Sequence, residues 1–260
     1  MPYLTIHDAQ LHYSLDGDAG KPVLILSNSL GTALDMWAPQ MTRFARAFRV
    51  LRYDTRGHGQ STVTPGPYTL DQLAGDVVAL MDGLDIGQAH FCGLSMGGLT
   101  GMALALRHPQ RVHKLVLCNT AAYIGPPDAW TSRIAAVEQG GVAPLAPAVV
   151  ARWLTPDYAA QHPGTVAALE DMLRATPPDG YAAACAAVRD ADLREQVAQI
   201  GAPTLIIAAT GDLPTPPADG RFLQQHIAGA RYVELAAAHL SNQEQAATFT
   251  DAVIDFLTVP

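Results

Sequence analysis

Short apolar runs and amphipathic stretches alternate along most of the chain. The apolar runs, such as residues 23–26 and 112–118, are uninterrupted, which is typical of parallel strands that are buried on both faces. Between these runs apolar residues recur at helical spacing, as Leu70, Leu73 and Val77 do. The pattern predicts an α/β protein with a mostly parallel sheet and helices on both faces.

The same pattern places the individual elements. Eight strands are predicted, at residues 3–7, 11–15, 23–26, 49–53, 89–92, 112–118, 204–209 and 232–235. The first two form a predicted hairpin that turns at Asp8, Ala9 and Gln10. Helices are predicted near residues 37–45, 70–84, 97–107 and 221–227, and after residue 241. Two of these helices are expected to start with a capping box, one at Thr69 and Gln72 and the other at Ser241 and Glu244.

The alternation stops near residue 122 and returns near residue 193. Between these points, alanine-rich helical pieces are separated by prolines, and no strand pattern occurs. The interval also contains large residues that need burial, among them Trp130, Trp153 and Leu173. We therefore expect an α/β core of residues 1–121 and 193–260, with residues 122–192 inserted as a helical cap.

Composition and charge narrow the classes of partner. A chain of 260 residues that is 49% hydrophobic can bury one sizeable core. The net charge is −8 and only two residues are lysines, so neither a nucleic acid nor an anionic membrane is an expected partner. The chain shows no secretory leader pattern and no apolar run long enough to span a membrane, which favours the cytoplasm. Its three cysteines, Cys92, Cys118 and Cys185, form no metal or redox motif, and no cofactor or metal is expected.

A serine lies in the turn between the strand at residues 89–92 and the following helix. Gly93, Ser95 and Gly97 make the pattern G-x-S-x-G, in which glycines relieve crowding around a sharp strand-to-helix turn. Such a turn holds the serine hydroxyl above the edge of the sheet, next to a helix N-terminus. Ser95 is therefore the predicted nucleophile.

An acyl-transfer nucleophile also needs amide hydrogens directed at the oxyanion that develops. One predicted donor is the backbone N–H of Met96, which follows the nucleophile. The other is expected from the loop after the strand at residues 23–26, and Leu30 is our candidate for its backbone N–H.

Among nine histidines, His239 has the position that a general base requires. It follows the last predicted strand, so it lies at the same carboxyl edge of the sheet as Ser95. His58 lies in the Arg56-Gly57-His58-Gly59 loop, where we expect a structural role.

Asp212 is the predicted acid that orients this histidine. It follows the strand at residues 204–209, again at the carboxyl edge. Asp219 is a rival, although its position suits the N-cap of a helix, and Asp54 is another, which we expect to stabilise the Arg56-Gly57 turn.

The nucleophile turn, the order Ser95, Asp212, His239 and three further segments carry a family resemblance. These segments are Ser27 to Thr32, Tyr53 to Ser61 and Ala238 to Asn242. Over nearly its whole length the chain resembles the α/β-hydrolases and, more narrowly, the 3-oxoadipate enol-lactonases of aromatic compound catabolism. That resemblance implies serine esterase chemistry in which Ser95, His239 and Asp212 open an enol-lactone to 3-oxoadipate through an acyl-enzyme.

The lactone implied by this resemblance carries a carboxylate, so the cap is expected to supply a cation. Arg133, Arg152 and Arg174 are the candidates, and Arg133 is preferred, with Trp153 as a wall of the pocket. Other serine hydrolases share the same three residues, so a carboxylesterase, a perhydrolase-like enzyme and a C–C bond hydrolase stay open as alternatives. A ligand receptor of low turnover on the same scaffold is the alternative from another class.

Overall fold

Eight strands form one sheet in the computed structural model of the chain, which describes residues 2–259. The strands are β1 (Tyr3–Ile6), β2 (Ala9–Asp16), β3 (Val23–Ser27), β4 (Arg49–Tyr53), β5 (Ala89–Leu94), β6 (Val112–Cys118), β7 (Thr204–Ala209) and β8 (Arg231–Leu235). Their spatial order is β1-β2-β4-β3-β5-β6-β7-β8. The pairs β1–β2 and β2–β4 are antiparallel, and every later pair is parallel. The predicted mostly parallel sheet is confirmed.

The central strands carry the core and bring their carboxyl ends together. All residues of β5 and β7 are buried, which explains the uninterrupted apolar runs in the sequence. Ser27 at the end of β3 pairs with Gly93 of β5, and Cys118 at the end of β6 lies between Leu94 and Ile207. Loops that leave these strands therefore converge at one edge of the sheet, where parallel sheets usually hold their ligands.

Eleven α-helices accompany the sheet in the described residues. They are α1 (Ala38–Ala47), α2 (Leu70–Gly83), α3 (Met96–Arg107), α4 (Pro127–Gly140), α5 (Ala146–Val150), α6 (Pro156–Gln161), α7 (Pro163–Arg174), α8 (Pro178–Arg189), α9 (Pro217–His226), α10 (Ser241–Glu244) and α11 (Ala246–Thr258). On the sheet, α2 packs against α3 and α1 packs against α11. None of the helices within residues 2–259 has both the length and the hydropathy needed to cross a membrane.

The helices between β6 and β7 explain the prolines of that segment. Each of α4 to α8 has a proline in its first turn, where the missing N–H would have no helical acceptor in any case. The prolines therefore start these helices as well as separating them. Helix α4 packs against α8, and α5 packs against α7.

Two local predictions are wrong. The first hairpin turns at His7 and Asp8, because Ile6 already pairs with Ala9 and the buried side chain of Ala9 continues the alternation of β2. The second error concerns the capping box at the last helices. Ser241 is the first residue of α10, and its hydroxyl donates to Oδ1 of Asn119, 2.6 Å away, so it does not cap the helix.

Glu244, the other half of that predicted capping box, links the inserted helices to the loop that carries His239. Its Oε1 accepts hydrogen bonds from the backbone N–H of Thr155 (3.0 Å) and of Ala238 (2.8 Å), and its Oε2 accepts from the Thr155 hydroxyl (2.6 Å). The N–H of Leu240 donates to the carbonyl of Trp153 nearby. Thr69 is different, since its hydroxyl caps α2 by accepting from the N–H of Gln72, which is the first half of the predicted box. The reciprocal bond from the Thr69 N–H to the Gln72 side chain does not form in the described residues.

Candidate active site

Ser95 is the single residue between the end of β5 and the start of α3. Its backbone has φ 57° and ψ −114°, a conformation that L-residues rarely adopt and that recurs at functional turns. A side chain at Gly93 would overlap the backbone of Gly97, and one at Gly97 would overlap the carbonyl of Ser27. The two glycines that the sequence pattern emphasised are thus required sterically, and the turn raises the Ser95 hydroxyl into the space above the sheet edge.

His239 and Asp212 meet beside that serine. Nδ1 of His239 lies 2.9 Å from Oδ1 and 3.0 Å from Oδ2 of Asp212. His239 and Ser95 line the same cavity, although their side chains do not form a hydrogen bond to each other in the structure. The three residues that the sequence placed at one edge of the sheet therefore lie together, with Nδ1 of the histidine bonded to the carboxylate.

The Asp212 carboxylate receives more hydrogen bonds than the sequence indicated. Asn119 donates from Nδ2 to Oδ2 at 2.9 Å, and Thr215 donates from its N–H to Oδ1 (2.9 Å) and from its hydroxyl to Oδ2 (2.8 Å). Burial by itself would raise the pKa of Asp212, but the neighbouring His239 and the donors from Thr215 and Asn119 bring the pKa below its usual value. The carboxylate is therefore ionised at neutral pH, as an orienting acid must be.

The rival acids have other surroundings. Asp219 lies in the first turn of α9 but is not its N-cap, which is Pro216, so that part of the prediction is wrong. Asp54 bonds to Nδ1 of His12 and accepts from the N–H groups of Leu34 and Gln60. It steadies its loop through those contacts. Neither rival bonds to His239.

The two amide groups predicted to bind an oxyanion have no protein acceptor in the described residues. Among residues 2–259, neither the N–H of Leu30 nor that of Met96 has a protein acceptor, while the neighbouring N–H of Gly31 donates to Nε2 of His58 at 3.0 Å. Burial lowers the pKa of His58, so its ring is neutral at pH 7 and can accept this bond. His58, expected to be structural, thereby holds the loop on which Leu30 sits.

The cavity above Ser95 has a volume of about 160 Å³. It is lined from the sheet edge by Ser29, Leu30, Ser95, Pro214 and His239, and from the inserted segment by Ile124, Gly125, Pro126, Ala129, Trp130, Arg133, Val149, Arg152, Trp153, Tyr181 and Val188. The lining is thus largely apolar, with two arginines.

The three candidate arginines differ in burial, in whether they line the cavity and in their partners. Arg133 is half-buried, and its guanidinium lies 4.9 Å from the centre of the Trp130 ring. Arg152 lines the cavity but is exposed. Arg174 is not in the cavity lining and bonds to Glu170 and Asp171 on its own helix. In the part of the chain that the structure describes, neither Arg133 nor Arg152 pairs with a carboxylate, so no protein carboxylate neutralises the charge of either lining arginine.

The described residues form no cluster of metal-binding side chains. Within 2–259, no group of three or more histidine, cysteine, aspartate or glutamate side chains is placed to hold a metal ion. The three cysteines are buried and free.

Comparison with known proteins gives consistent results. The family model described as "alpha/beta hydrolase fold" matches residues 22–246. The chain is 45% identical to 3-oxoadipate enol-lactonase 2 of Acinetobacter baylyi over 96% of this chain and 94% of that protein. It is 40% identical to 3-oxoadipate enol-lactonase 1 of the same organism, over 95% and 92%. The crystal structure of the enol-lactonase from Burkholderia xenovorans LB400 superposes with a TM-score of 0.98 at 52% identity, covering 99% of this chain and all of that one.

Proposed function

The chain belongs to the α/β-hydrolase fold family and, within it, groups with the 3-oxoadipate enol-lactonases; we propose that it hydrolyses 3-oxoadipate enol-lactone to 3-oxoadipate through an acyl-enzyme on Ser95. One observation carries this proposal. Ser95, the His239–Asp212 pair and the unpaired cation of Arg133 converge on one small cavity. The reaction is a step of aromatic compound catabolism in the cytoplasm.

The first half of the reaction forms the acyl-enzyme. His239 takes the proton of the Ser95 hydroxyl while the oxygen attacks the lactone carbonyl, and Asp212 holds the imidazole tautomer and stabilises its charged form. The N–H groups of Leu30 and Met96 donate to the resulting oxyanion. When the ring C–O bond breaks, the leaving enolate takes the proton from His239, and the enol tautomerises to a ketone. An enolate is a better leaving group than an alkoxide, so this step is easy.

The second half releases the product. His239 removes a proton from water, the hydroxide attacks the acyl carbon, and the Ser95 oxygen leaves with that proton. The product is a dicarboxylate with a keto group. No metal or cofactor takes part in these steps.

The cavity supports a small, singly charged substrate. Its volume of about 160 Å³ is close to the roughly 150 Å³ that holds one benzene molecule in an engineered protein cavity. We assign the substrate carboxylate to Arg133, which lies on α4, and a cavity wall to Trp153. Residues 122–192 thus act as a cap that supplies binding groups, while residues 1–121 and 193–260 supply the chemistry.

Replacing Ser95 by alanine tests the nucleophile. We expect kcat for the lactone to fall by about 10⁶, as it does when the serine of such a triad is removed. Ser14→Ala is the matched control, because Ser14 is a buried serine that bonds to Asp16, away from the cavity. A loss below tenfold in Ser95→Ala would identify another nucleophile.

Substrate class is tested by comparing the lactone with a neutral nitrophenyl ester. Arg133→Ala should lower kcat/KM for the lactone by about tenfold to 150-fold, because a charge-assisted hydrogen bond of roughly 1.5–3 kcal/mol is lost, and should leave the neutral ester unchanged. Arg174→Ala is the control on the neighbouring cap surface. Equal losses on both substrates would remove the carboxylate from this assignment, and a preference of the wild type for the neutral ester would favour a carboxylesterase.

A further inference from the structure

The chain segment at the end of β6 bonds to two of the three proposed catalytic residues, Ser95 and Asp212. The carbonyl of Cys118 accepts from the N–H of Ser95 at 2.9 Å, and the hydroxyl of Thr120 donates to the carbonyl of Ser95 at 2.8 Å. Asn119, between them, donates to the carboxylate of Asp212 at 2.9 Å. We name residues 118–120 the β6 terminus. It hydrogen-bonds to the backbone of the proposed nucleophile and, through the Asn119 side chain, to the carboxylate of the proposed acid.

Asn119 also reaches the loop of the proposed base. Its Oδ1 accepts from the hydroxyl of Ser241 at 2.6 Å, and its Nδ2 lies 3.4 Å from the carbonyl of Ala238, so the carboxamide bonds on either side of His239. The residue is 1% exposed, and its own N–H donates to the carbonyl of Ile207 in β7. Its backbone has φ 46°, a left-handed conformation that asparagine tolerates better than most residues.

We propose that Asn119 is a positioning residue that fixes the Asp212 carboxylate against the sheet and keeps the acid and the His239 loop at a constant separation. This inference rests on the proposed function, because it assumes that His239 is the base and Asp212 its partner. The Asn119 side chain does not line the cavity. It acts through the two groups that it joins.

Thr215 does not replace this contact, although it makes two hydrogen bonds to the same carboxylate. Thr215 lies three residues after Asp212 in the same loop, so its bonds move with the acid. Asn119 is anchored on a different strand, and its bond to Oδ2 sets where the carboxylate stands relative to the sheet. Loss of Asn119 should therefore leave Asp212 hydrogen-bonded but able to shift together with its loop.

The pH behaviour of a variant follows from the groups around the carboxylate. His239 lowers the pKa of the Asp212 carboxyl, and the charge of Asp212 in turn contributes to the raised pKa of Asp219. Both neighbours stay in place in the variants below, so a new pH dependence in a variant reports the group that replaces Asn119.

Asn119→Gly removes the carboxamide, and glycine adopts the left-handed backbone conformation of this position without strain. Any loss of activity therefore reports the missing side chain and not a distorted backbone. We expect kcat to fall by about tenfold to 100-fold, a part of the roughly 10⁴-fold effect of disabling the acid itself. KM should stay within about twofold, because Asn119 does not line the cavity. Thr215→Val is the comparison variant: it removes the hydroxyl that donates to Asp212 and lies 3.4 Å from Nδ1 of His239, but it leaves the β6 terminus intact, and its loss should be smaller.

Asn119→Asp gives a sharper test, because a protonated aspartic acid reproduces the original bonds. Its O–H can donate to Asp212 and its other oxygen can accept from Ser241, so the variant should be active at low pH. As pH rises, the proton shared by the two carboxylates is lost and their repulsion separates them, so kcat should fall on a new basic limb that the wild type lacks.

The outcomes separate the two proposals. Wild-type kcat in Asn119→Gly, or a wild-type pH profile in Asn119→Asp, would overturn the positioning role even if Ser95→Ala is inactive. An active Ser95→Ala would instead overturn the proposed function. If Asn119→Gly folds poorly, the pH profile of Asn119→Asp decides the matter, since that readout does not depend on the amount of folded enzyme. If Asn119→Asp folds poorly, kcat of Asn119→Gly per mole of active sites, counted by the acyl-enzyme burst, decides it.

Discussion

The molecule contains two buried histidine–aspartate pairs whose atoms are arranged almost alike. Nδ1 of His12 lies 2.7 Å from Asp54, and Nδ1 of His239 lies 2.9 Å from Asp212. All four residues are nearly inaccessible, between 1% and 3% exposed. Neither the contact nor its burial distinguishes the two pairs.

The pairs differ in what lies beyond the histidine. His239 lines the cavity with Ser95, whereas His12 packs against Tyr3 in the first hairpin and does not line that cavity. Asp54 uses its remaining capacity to hold the N–H groups of Leu34 and Gln60, which belong to two loops. The comparison teaches that such a pair becomes a candidate base only where the free side of the ring faces open space beside a nucleophile.

The two pairs should differ most in how kcat responds when each aspartate is replaced by asparagine. Asp212→Asn should lower kcat by about 10⁴, because an amide favours the wrong imidazole tautomer and cannot stabilise the charged ring. Asp54→Asn should leave kcat within about threefold in the folded enzyme. Steady-state kinetics on both variants measures this, and a large kcat loss in Asp54→Asn with normal folding would contradict the contrast.

Stability should show the opposite order when each histidine is removed. His12→Ala should lower the free energy of unfolding by about 3 kcal/mol, at the low end for breaking a buried pair, since Asp54 keeps two amide donors. His239→Ala should cost about 1 kcal/mol, because Asp212 keeps Asn119 and Thr215 and the ring borders a cavity. Urea unfolding of both variants measures the difference. Equal losses would mean that the two pairs are equivalent supports.

A third buried histidine lies between these extremes. His58 bonds to no aspartate, yet it accepts the N–H of Gly31 beside the proposed oxyanion donor Leu30. His58→Ala should lower kcat by roughly tenfold, less than the 10² to 10³ that follow loss of an oxyanion donor, because the amide is displaced rather than removed. A rise in KM with unchanged kcat would show instead that the loop serves substrate binding.

The smallest expected effect is on stability and concerns Asp219. Its carboxyl lies near the His239–Asp212 pair but does not bond to it. Burial, and then the charge of Asp212, raise the pKa of Asp219 to about 6. The folded protein therefore holds this proton more tightly than the unfolded chain, so Asp219 lowers stability as pH rises from about 4 to 6.

Asp219→Asn should remove that penalty. We expect it to stabilise the protein by roughly 1 kcal/mol at pH 8 and by almost nothing at pH 4, with the value discounted for partial solvent screening. Urea unfolding at the two pH values checks the sign. A gain of equal size at both pH values would assign it to packing.

The sheet and the nucleophile turn were predictable because their signals are local. Strands buried on both faces leave uninterrupted apolar runs, and the steric demand at Gly93 and Gly97 is written within five residues. Asp212 and His239 lie far apart along the chain. Their meeting still followed from the sheet, because both come directly after strands that end at the same edge.

Roles that depend on a distant partner escaped prediction. Ser241 and Glu244 have the spacing of a capping box, but their partners are Asn119 and Thr155, 122 and 89 residues away in the chain. Asn119 itself follows a buried strand at the carboxyl edge, the same signal that identified Asp212. The sequence could have marked it as a rim residue, but not as a bridge between two loops.

The three hydrogen bonds of Glu244 have a consequence for building chimeras. One carboxylate serves Thr155, in the inserted helices, and Ala238, next to His239, so the proposed cap and the loop of the proposed base are joined through the same side chain. An insertion transplanted from another hydrolase must bring an N–H and a hydroxyl to the place of Thr155. Without them the graft leaves a charged oxygen unmatched and loosens the histidine it was meant to preserve.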